Sequence, residues 1–434
     1  MSVDNKAMCL KVVQLSGRFG AQGAITTLSS EHEVTTTARA GKIEKLAEAD
    51  SATMSVVLFV DGRYAVHSTN DLGEAAVERF LKRAIAATRL LDADPDRQLP
   101  APALFAGRAA ALDGVLDESR NQRSVADRKR EALALEAETR ATAGERFVSA
   151  TATVTDSRVH VAKATSNGFV DEQVFTSFMH AASVTLKDGD KRPEDGQYVS
   201  ARLQRGVPSA IGKEAAQRAL SRLGQKRTTG GERLVLLENR VVPRLLGMFL
   251  QAASGHALWQ KRSFLDGKLD QPVMSKLVNL LDDPLLPGGL GSRRFDGEGL
   301  TAKRRALVEG GVFRSFNLDT YYARRLGKAP TSGSYSNLVL EPGKSSRATI
   351  EKGATNLLVI NRLIGGNSNP LTGDFSLGIG GYLLEGGQRT PVAEMNLSGN
   401  HLTFWQRVVE VCDDPWIYSS ARTPSLLLDK VAIA

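Results

Sequence analysis

At 434 residues, the chain is longer than one hydrophobic core usually serves, which predicts two or three domains. Its composition, 42% hydrophobic and 24% charged, is that of an ordinary soluble protein. No apolar run reaches the roughly 20 residues that cross a bilayer, which excludes a membrane-spanning helix. The net charge of +8 permits a nucleic-acid partner but does not favour one, because lysine and arginine are spread along the chain without a zinc-finger or RNA-binding pattern.

Two further features predict a cytoplasmic protein. Residues 1–17 lack the basic, apolar and small-residue order of a signal peptide. The cysteines Cys9 and Cys412 lie near opposite ends of the chain, and two cysteines cannot form a disulfide framework. We expect both to be free thiols.

An N-terminal α/β domain is predicted over residues 1–100. Alternating Thr and Val residues indicate strands, and Asp61-Gly62 is suited to the positive φ angles of a tight hairpin turn. After the hairpin, apolar residues recur with the 3.6-residue period of a helix. The predicted elements are a strand region over 23–40, a hairpin over 54–67, a helix over 74–91 with N-cap side chains at 68–71, and a linker over 92–102.

A middle α/β domain is predicted over residues 101–226. It opens with a charged helix rich in Ala, Leu, Glu and Arg, continues with strand-like alternation, and closes with a second helix whose C′ position fits Gly224. The predicted elements are a helix over 118–146, strands over 147–154, 160–164 and 174–186, and a helix over 209–223.

The third predicted domain covers residues 227–434 and is β-rich. A short buried strand, Leu234–Leu237, precedes a helix in which Pro243 occupies the first turn. Pairs of glycines recur from Arg293 onward and indicate short strands with turns and bulges, either packed antiparallel sheets or a barrel. The fold class predicted for the whole chain is therefore α+β.

General chemical motifs are incomplete in this sequence. Gly343-Lys344-Ser345 ends like a phosphate-binding loop, but Leu338 stands where its leading glycine should be. Gly378-Ile379-Gly380 begins like a dinucleotide fingerprint, but Leu383 replaces the last glycine. The six histidines are dispersed, and no two lie within one helical turn, as a zincin site requires.

Several segments, taken in order, resemble the TldD/PmbA family over nearly the whole chain. Each motif alone is weakly specific, and their shared order carries the resemblance. The matching segments are Phe59–Arg63, Ser68–Leu72, Ser166–Phe169, Asp188–Glu194, Phe295–Gly299, Leu318–Gly327, Leu371–Gly381 and Pro391–Asn400.

The resemblance implies that this chain is of the family's zinc-free, TldE/PmbA type. TldD-type chains carry His-Glu-x-x-x-His on a helix, with a cysteine near the C-terminus, and hold zinc. Here Gln251 stands at the first ligand, Ala252 at the catalytic glutamate, and only His256 remains. Glutamine is a poor zinc ligand, and alanine cannot take a proton from water. We expect His256 to be a packed core or interface residue.

The C-terminal cysteine of that metal set is also missing. Cys412 lies upstream of the expected place, Asp413-Asp414, and is predicted to be a buried thiol. The resemblance therefore implies no metal, no catalytic residue and no cofactor in this chain, with zinc expected in a partner subunit.

The resemblance further implies that the chain pairs with a TldD-like zinc subunit to cleave small or unfolded peptides, such as leader peptides of ribosomally made natural products. Candidate peptide-channel residues, which could equally be β-turn residues, are Gly365, Gly366, Gly373, Asp374, Phe375 and Ser376. Candidate partner-interface residues are Trp259, Lys261, Arg262 and Phe264. Core packing of Trp259 and Phe264 remains an equal alternative.

Two other functions remain open at this point. The chain could be a homodimeric peptide-binding or scaffold protein without peptidase activity, or a free-standing hydrolase that uses other residues. A one-to-one complex with a zinc-carrying chain would favour the peptidase-subunit hypothesis over these two alternatives.

Overall fold

The computed structural model describes residues 4–434, so residues 1–3 of the segment considered above for a signal peptide lie outside the described residues. The N-terminal half is built on strands β1 (Gly23–Arg39), β2 (Lys42–Val60), β3 (Arg63–Thr69), β4 (Phe147–Thr165), β5 (Val170–Leu186) and β6 (Glu194–Ala201). They form a single antiparallel sheet in the order β3-β2-β1-β4-β5-β6. Strands from the predicted first and middle domains are therefore hydrogen-bonded neighbours.

Helices cover one face of this sheet. Along β1 the even-numbered residues Ala24, Leu28, Val34 and Ala38 are buried, as expected for the two-residue period of a strand. Leu28 and Ala38 belong to two separate cores, one under each helix pair. The helices are α1 (Asn5–Arg18) and α2 (Glu74–Thr88) over one end, and α3 (Val125–Ala143) and α4 (Ile211–Leu220) over the other.

The predicted hairpin and the start of the following helix at Glu74 are confirmed, but the N-cap predicted for that helix and the start of the next helix are wrong. Asp61 and Gly62 take φ angles of 50° and 72° in the turn between β2 and β3. The helix after this hairpin is capped by Gly73, and Asp71 instead accepts the Gly73 N–H at 3.2 Å. The helix predicted from residue 118 begins at Val125, because Ser124 and Asp127 form a reciprocal capping box there.

The middle strands also differ from the prediction. The two strands expected over 147–154 and 160–164 are one continuous strand, β4, which pairs with β1 over residues 151–165 and with β5 over residues 147–164. Cross-strand pairing on both sides holds the intervening residues extended, although their local sequence does not alternate.

The C-terminal half contains a barrel, as predicted. Its strands are β7 (Gly231–Leu237), β12 (Asn356–Ser368), β13 (Asp374–Glu385), β14 (Gln388–Asn400), β15 (Val408–Val411) and β17 (Leu426–Ile433), in the order β14-β13-β12-β7-β17-β15. Pairing of Leu397 with Ile433 closes β14 onto β17. Predicted glycine turns and bulges are confirmed at Gly386-Gly387 and Gly365-Gly366.

A second sheet and several short helices complete this half. The sheet contains β8 (Leu280–Asp282), β9 (Arg305–Glu309), β10 (Val312–Phe313), β11 (Leu338–Leu340) and β16 (Ala421–Arg422), ordered β10-β9-β8-β11-β16. The helices are α5 (Val242–Gln251), α6 (Gly255–Trp259), α7 (Thr320–Arg325), α8 (Arg347–Gly353) and α9 (His401–Phe404). Helix α5 buries Leu245, Leu246 and Phe249 in a core shared with barrel residues.

The two halves meet on the helix-free face of the first sheet, along a contact that we call the seam: Lys163, Phe169, Phe295, Glu298 and Tyr321. The Phe169 ring packs edge-on against Phe295, with ring centroids 5.1 Å apart. Lys163 Nζ donates to the Gly297 carbonyl at 2.9 Å, and Tyr321 donates its hydroxyl to Asp94 at 2.8 Å. Asp94 belongs to the predicted linker, which packs against the C-terminal half.

No helix among residues 4–434 is long and apolar enough to cross a membrane. Both cysteines are buried free thiols, as predicted. Burial raises the pKa of Cys9 to about 11 and that of Cys412 to about 12, so both stay protonated near neutral pH.

Candidate functional site

A cleft of about 790 Å³ lies at the C-terminal end of α5. Two of the degenerate motif residues, Gln251 and His256, are on its wall. The full lining is Gly247, Leu250, Gln251, Ser254, His256, Ala257, Gln260, Arg262, Tyr335, Leu338, Asn369, Pro370 and Leu371. This cleft is the candidate functional site.

The single helix expected to carry Gln251 through His256 is in fact two helices. Helix α5 ends at Gln251, and Ser254 caps α6 by accepting the Ala257 N–H at 3.2 Å. The chain between them is held by a 2.8 Å hydrogen bond from the Gly255 N–H to the Asn317 carbonyl. A side chain at Gly255 would meet Tyr322 Cβ at 2.6 Å, so this close approach requires glycine.

The break separates the three motif positions. Gln251 and His256 are exposed on different helices and face the same cleft. Ala252, where the catalytic glutamate would stand, is fully buried in the core beneath α5. The expectation of a packed, core His256 is wrong, because the imidazole lies on the open wall of the cleft; an interface role stays a prediction.

The residues around the cleft do not fit a zinc site. One imidazole lines it, and none of its lining residues is an aspartate, glutamate or cysteine. A hydrolytic zinc centre needs three such ligands and a general base. Among residues 4–434, no three His, Cys, Asp or Glu side chains converge in a way that could hold a metal ion.

The place expected for a third metal ligand is also remote from this cleft. Asp414 accepts the Ser425 N–H at 2.8 Å and contacts Asn239, which precedes α5. Gln251 is at the other end of that helix, roughly 15 Å away for ten residues at about 1.5 Å each. Only the family resemblance had suggested that residues 413–414 and Gln251 lie close together.

The candidate channel residues lie beside the cleft on β12, β13 and the turn between them. Gly365, Asp374 and Ser376 are exposed there. Phe375 must be removed from this set, since its ring is 4% exposed and packs against Phe404 with centroids 5.1 Å apart. A β-strand alternates its faces, so Phe375 points inward between two outward neighbours.

Two of the channel glycines serve the barrel itself. A Cβ at Gly366 would meet the Ser376 carbonyl oxygen at 2.4 Å, so the backbone that approaches it is β13. Gly373 has a φ of 83° in the turn before β13. Both positions therefore have the β-turn and bulge role that was the alternative interpretation.

Asp374 has local partners that hold its charge. Its carboxylate accepts hydrogen bonds from Asn400 at 2.9 Å and from Thr372 at 2.7 Å. These bonds lower the pKa of Asp374 below its usual range, so it is ionised near neutral pH. Because the group is solvent-exposed, lone pairs remain open to a ligand.

The candidate interface residues divide into exposed and buried sets. Trp259, Lys261 and Arg262 are exposed, and the guanidinium of Arg325 lies 4.6 Å from the Trp259 ring centroid. The expectation of an exposed Phe264 is wrong: it is 8% exposed and stacks on His401 with a centroid distance of 5.6 Å. Its neighbour Ser263 bonds the Ala252 carbonyl at 2.6 Å and turns the chain inward.

Sequence reasoning missed part of the cleft wall. Tyr335 lines it, with its hydroxyl 3.4 Å from the Leu250 carbonyl, and burial raises the pKa of that phenol. Asn369-Pro370-Leu371 forms the opposite side. Asn-Pro is a turn signal, but nothing local shows that this turn faces a helix end more than a hundred residues earlier.

A second cavity, of about 330 Å³, lies at the seam, and Glu298 is on its wall. Burial raises the pKa of Glu298 to about 7 and lowers that of Lys163 to about 8. Perturbed groups often mark functional sites. Here both groups are bonded within the fold, Glu298 to the Thr320 N–H at 2.9 Å and Lys163 to the Gly297 carbonyl.

Comparison with known proteins decides the family. Models of the PmbA/TldA metallopeptidase match domain 1 over residues 28–88, the central domain over 120–223 and the C-terminal domain over 230–434. The chain belongs to the TldD/PmbA family. The relatives within TldD/PmbA include Metalloprotease PmbA of Escherichia coli O157:H7, which is 25% identical over 422 residues covering 95% of this chain and 92% of that protein.

Solved TldD/PmbA-like structures share the whole fold. A crystal structure from Bacteroides thetaiotaomicron, of a candidate modulator of DNA gyrase, is 33% identical with a TM-score of 0.95, covering 100% of this chain and 99% of that one. TldE from Thermococcus kodakarensis superposes with a TM-score of 0.87 at 18% identity, covering 98% of this chain and 100% of that one. The six-stranded sheet and the barrel described above are thus the fold that these TldD/PmbA-like chains share.

Proposed function

We propose that this chain is the zinc-free subunit of a two-subunit peptidase, and that it forms part of the wall of a chamber in which a zinc-carrying TldD-type partner cleaves extended peptides. The observation that carries this proposal is the cleft at the end of α5. It sits where zinc chemistry would be expected, yet it offers one imidazole, no carboxylate and a buried alanine at the place of the general base.

Exposed apolar groups beside this cleft support a partner surface. Trp259 is 41% exposed, Ile364 48% and Leu371 50%. Lys261 and Arg262 add positive charge next to Trp259. An aromatic residue flanked by arginine is typical of interface hot spots.

The peptide would bind along β12. This strand pairs with β7 only over Leu358–Ile360, so beyond Ile360 that edge has no strand partner within residues 4–434. Arg244 donates to the Leu363 carbonyl on this edge at 3.2 Å. An extended peptide can hydrogen-bond such an edge through its backbone with little side-chain selectivity, which suits small or unfolded substrates such as leader peptides. The same proposal locates the pair in the cytoplasm, on the sequence grounds given above.

Reconstitution with a TldD-type zinc chain tests the proposal. We expect a one-to-one complex by light scattering, zinc in the partner only, and peptide cleavage by the mixture that this chain alone does not show. Trp259→Ala should weaken pairing by about tenfold or more, since central aromatic residues contribute about 2 kcal/mol or more at interfaces. Leu90→Ala is the matched control, because Leu90 is 86% exposed just after the end of α2.

Stoichiometric zinc in the isolated chain, or chelator-resistant cleavage by it alone, would contradict the proposal. So would a persistent homodimer that excludes the zinc chain, which would favour the scaffold alternative. Equal weakening by Trp259→Ala and Leu90→Ala would remove this cleft from the interface.

A further inference from the structure

A third cavity, of about 540 Å³, lies where α4 of the N-terminal half faces the barrel, away from the α5 cleft. Its lining carries four arginines and two glutamates. The residues are Gln197, Glu214, Gln217, Arg218, Ser221, Glu238, Asn239, Arg240, Arg347, Asn361, Tyr382, Arg389 and Trp416. Nothing in the proposed peptidase role uses this cavity.

Two of the four arginines are neutralised within the fold. Arg218 donates to Glu238 at 2.9 Å, and Arg347 donates to Glu351 at 2.7 Å and lies 3.7 Å from Glu238. Glu238 is therefore shared between two guanidinium groups. The other lining carboxylate, Glu214, is exposed and accepts from Gln197.

The other two arginines have no ionic partner among residues 4–434. Arg240 makes no hydrogen bond there, and its Nη1 is buried without an acceptor. Aromatic rings hold it in place, with its guanidinium carbon 5.1 Å from the Trp416 ring centroid and 5.8 Å from that of Tyr198. Burial, with Arg218 nearby, lowers the pKa of Arg240. Arg240 is half-buried, and a buried guanidinium nitrogen without an acceptor is costly, so an anion in this cavity would stabilise it.

Arg389 reaches the same cavity from β14. Its guanidinium carbon lies 3.5 Å from the Tyr382 ring centroid, and no carboxylate of the described residues is within ion-pair distance. Stacking on a ring leaves the in-plane N–H donors free. Two such forks suit a doubly charged oxyanion, because arginine binds phosphate and carboxylate oxygens in pairs.

We propose that this inter-domain cavity binds a small dianion, a phosphate monoester or a dicarboxylate, through Arg240 and Arg389. The cavity volume falls within the roughly 300–1,000 Å³ typical of small-molecule sites. Because α4 and the barrel both contribute to its wall, the bound anion fixes the two halves of the chain against each other.

Calorimetric titration of the full chain at constant ionic strength tests this site. The probes are glycerol 3-phosphate, inorganic phosphate and succinate, with glycerol as the neutral control. We expect saturable binding of one anion per chain, and a rise in melting temperature of about 2 °C or more at ligand concentrations near 100 times Kd. The tighter of the phosphate and dicarboxylate arms identifies the ligand class.

Arg240→Gln and Arg389→Gln should each weaken binding by tenfold or more. Arg79→Gln, an exposed charge change on α2, should leave it unchanged. Without ligand, Arg240→Gln should keep or raise the melting temperature, because it removes a buried group that lacks an acceptor.

Three results would each overturn the proposal: no saturable binding by any anionic probe, equal weakening by Arg79→Gln, or full binding by both site variants. A fall of several degrees in the melting temperature of ligand-free Arg240→Gln would assign Arg240 to the fold instead. Arg389→Gln decides the matter even if Arg240→Gln does not fold, because Arg389 is exposed.

Discussion

The α5 cleft and the seam differ in the chemical groups that their sequence motifs supply. At the cleft, where the resemblance places the family's metal motif, the wall holds amides, hydroxyls, one imidazole and one guanidinium. At the seam the segments that carry the family resemblance converge, and Lys163 and Glu298 have strongly shifted pKa values. The seam groups are nevertheless bonded to the fold.

This difference indicates that residues of a family signature can serve to hold the fold together. Phe169, Phe295 and Tyr321 all come from the segments by which the family resemblance was identified, and each ties one half of the chain to the other. The exposed residues of the cleft, in contrast, contribute little to folding.

The largest expected effect comes from restoring the glutamate of the metal motif. Ala252→Glu should lower the free energy of unfolding by about 5 kcal/mol, because the carboxylate would enter a fully buried apolar site. Urea titration followed by circular dichroism measures this. Ala257→Glu, on the partly exposed wall of the cleft, is the control and should cost less than about 1 kcal/mol.

The double variant Gln251→His, Ala252→Glu should still lack stoichiometric zinc. Zinc bound by this variant would show that the cleft can be turned into a metal site by these two residues.

Truncation at the seam should come next. Phe169→Ala removes a ring that is 1% exposed and should lower the free energy of unfolding by about 4 kcal/mol. Urea denaturation again provides the measurement, and the exposed Leu90→Ala serves as its control. If the cost were below about 1 kcal/mol, the seam would not be holding the halves together.

The pH dependence of stability should also trace to the seam. Burial, with smaller contributions from Asp296 and Asp319, raises the folded-state pKa of Glu298 from its ordinary value of 4.5 to about 7. Its contribution to stability is therefore complete below pH 4.5 and is lost as pH rises through 7. Lys163, with its pKa lowered to about 8, is still mostly charged at pH 7.

Glu298→Gln should remove that loss. Between pH 5 and 7.5 the difference in unfolding free energy between wild type and variant should change by about 2 kcal/mol. Denaturant titrations at several pH values measure it. A pH-independent difference would show that Glu298 does not titrate in this window.

The smallest effect is expected at the cleft. His256→Ala should change the free energy of unfolding by less than about 0.5 kcal/mol, because the imidazole is exposed. The thermal melting point of the isolated chain provides the measurement. A loss above about 1 kcal/mol would show that His256 is held by the fold, and the two regions would then differ less than proposed.

Periodicity and turn chemistry predicted much of the fold. The hairpin at Asp61-Gly62 and the glycine-rich barrel turns followed from local sequence. The pairing of β1 with β4 could not be predicted. It joins residues 25–39 to residues 151–165, and local sequence does not encode which distant strand pairs with which.

The candidate site was predicted less completely. Gln251 and His256 were singled out and do share the cleft, but the helix break between them depends on Gly255 packing against Tyr322. The burial of Ala252 and Phe264 likewise depends on tertiary packing. Arg240 was passed over because an arginine without an ionic partner is recognisable only when its surroundings are known.

The pairing of β1 with β4 has a consequence for how the chain can be divided. In a fragment that ends before Phe147, β1 would present a 17-residue strand edge with no neighbour on one side. Long unpaired edges recruit other strands and aggregate. During synthesis the ribosome must deliver more than a hundred residues between these neighbours, and such distant pairing forms slowly. The N-terminal and middle strands of this chain therefore form one sheet, and a cut between them would leave that edge open.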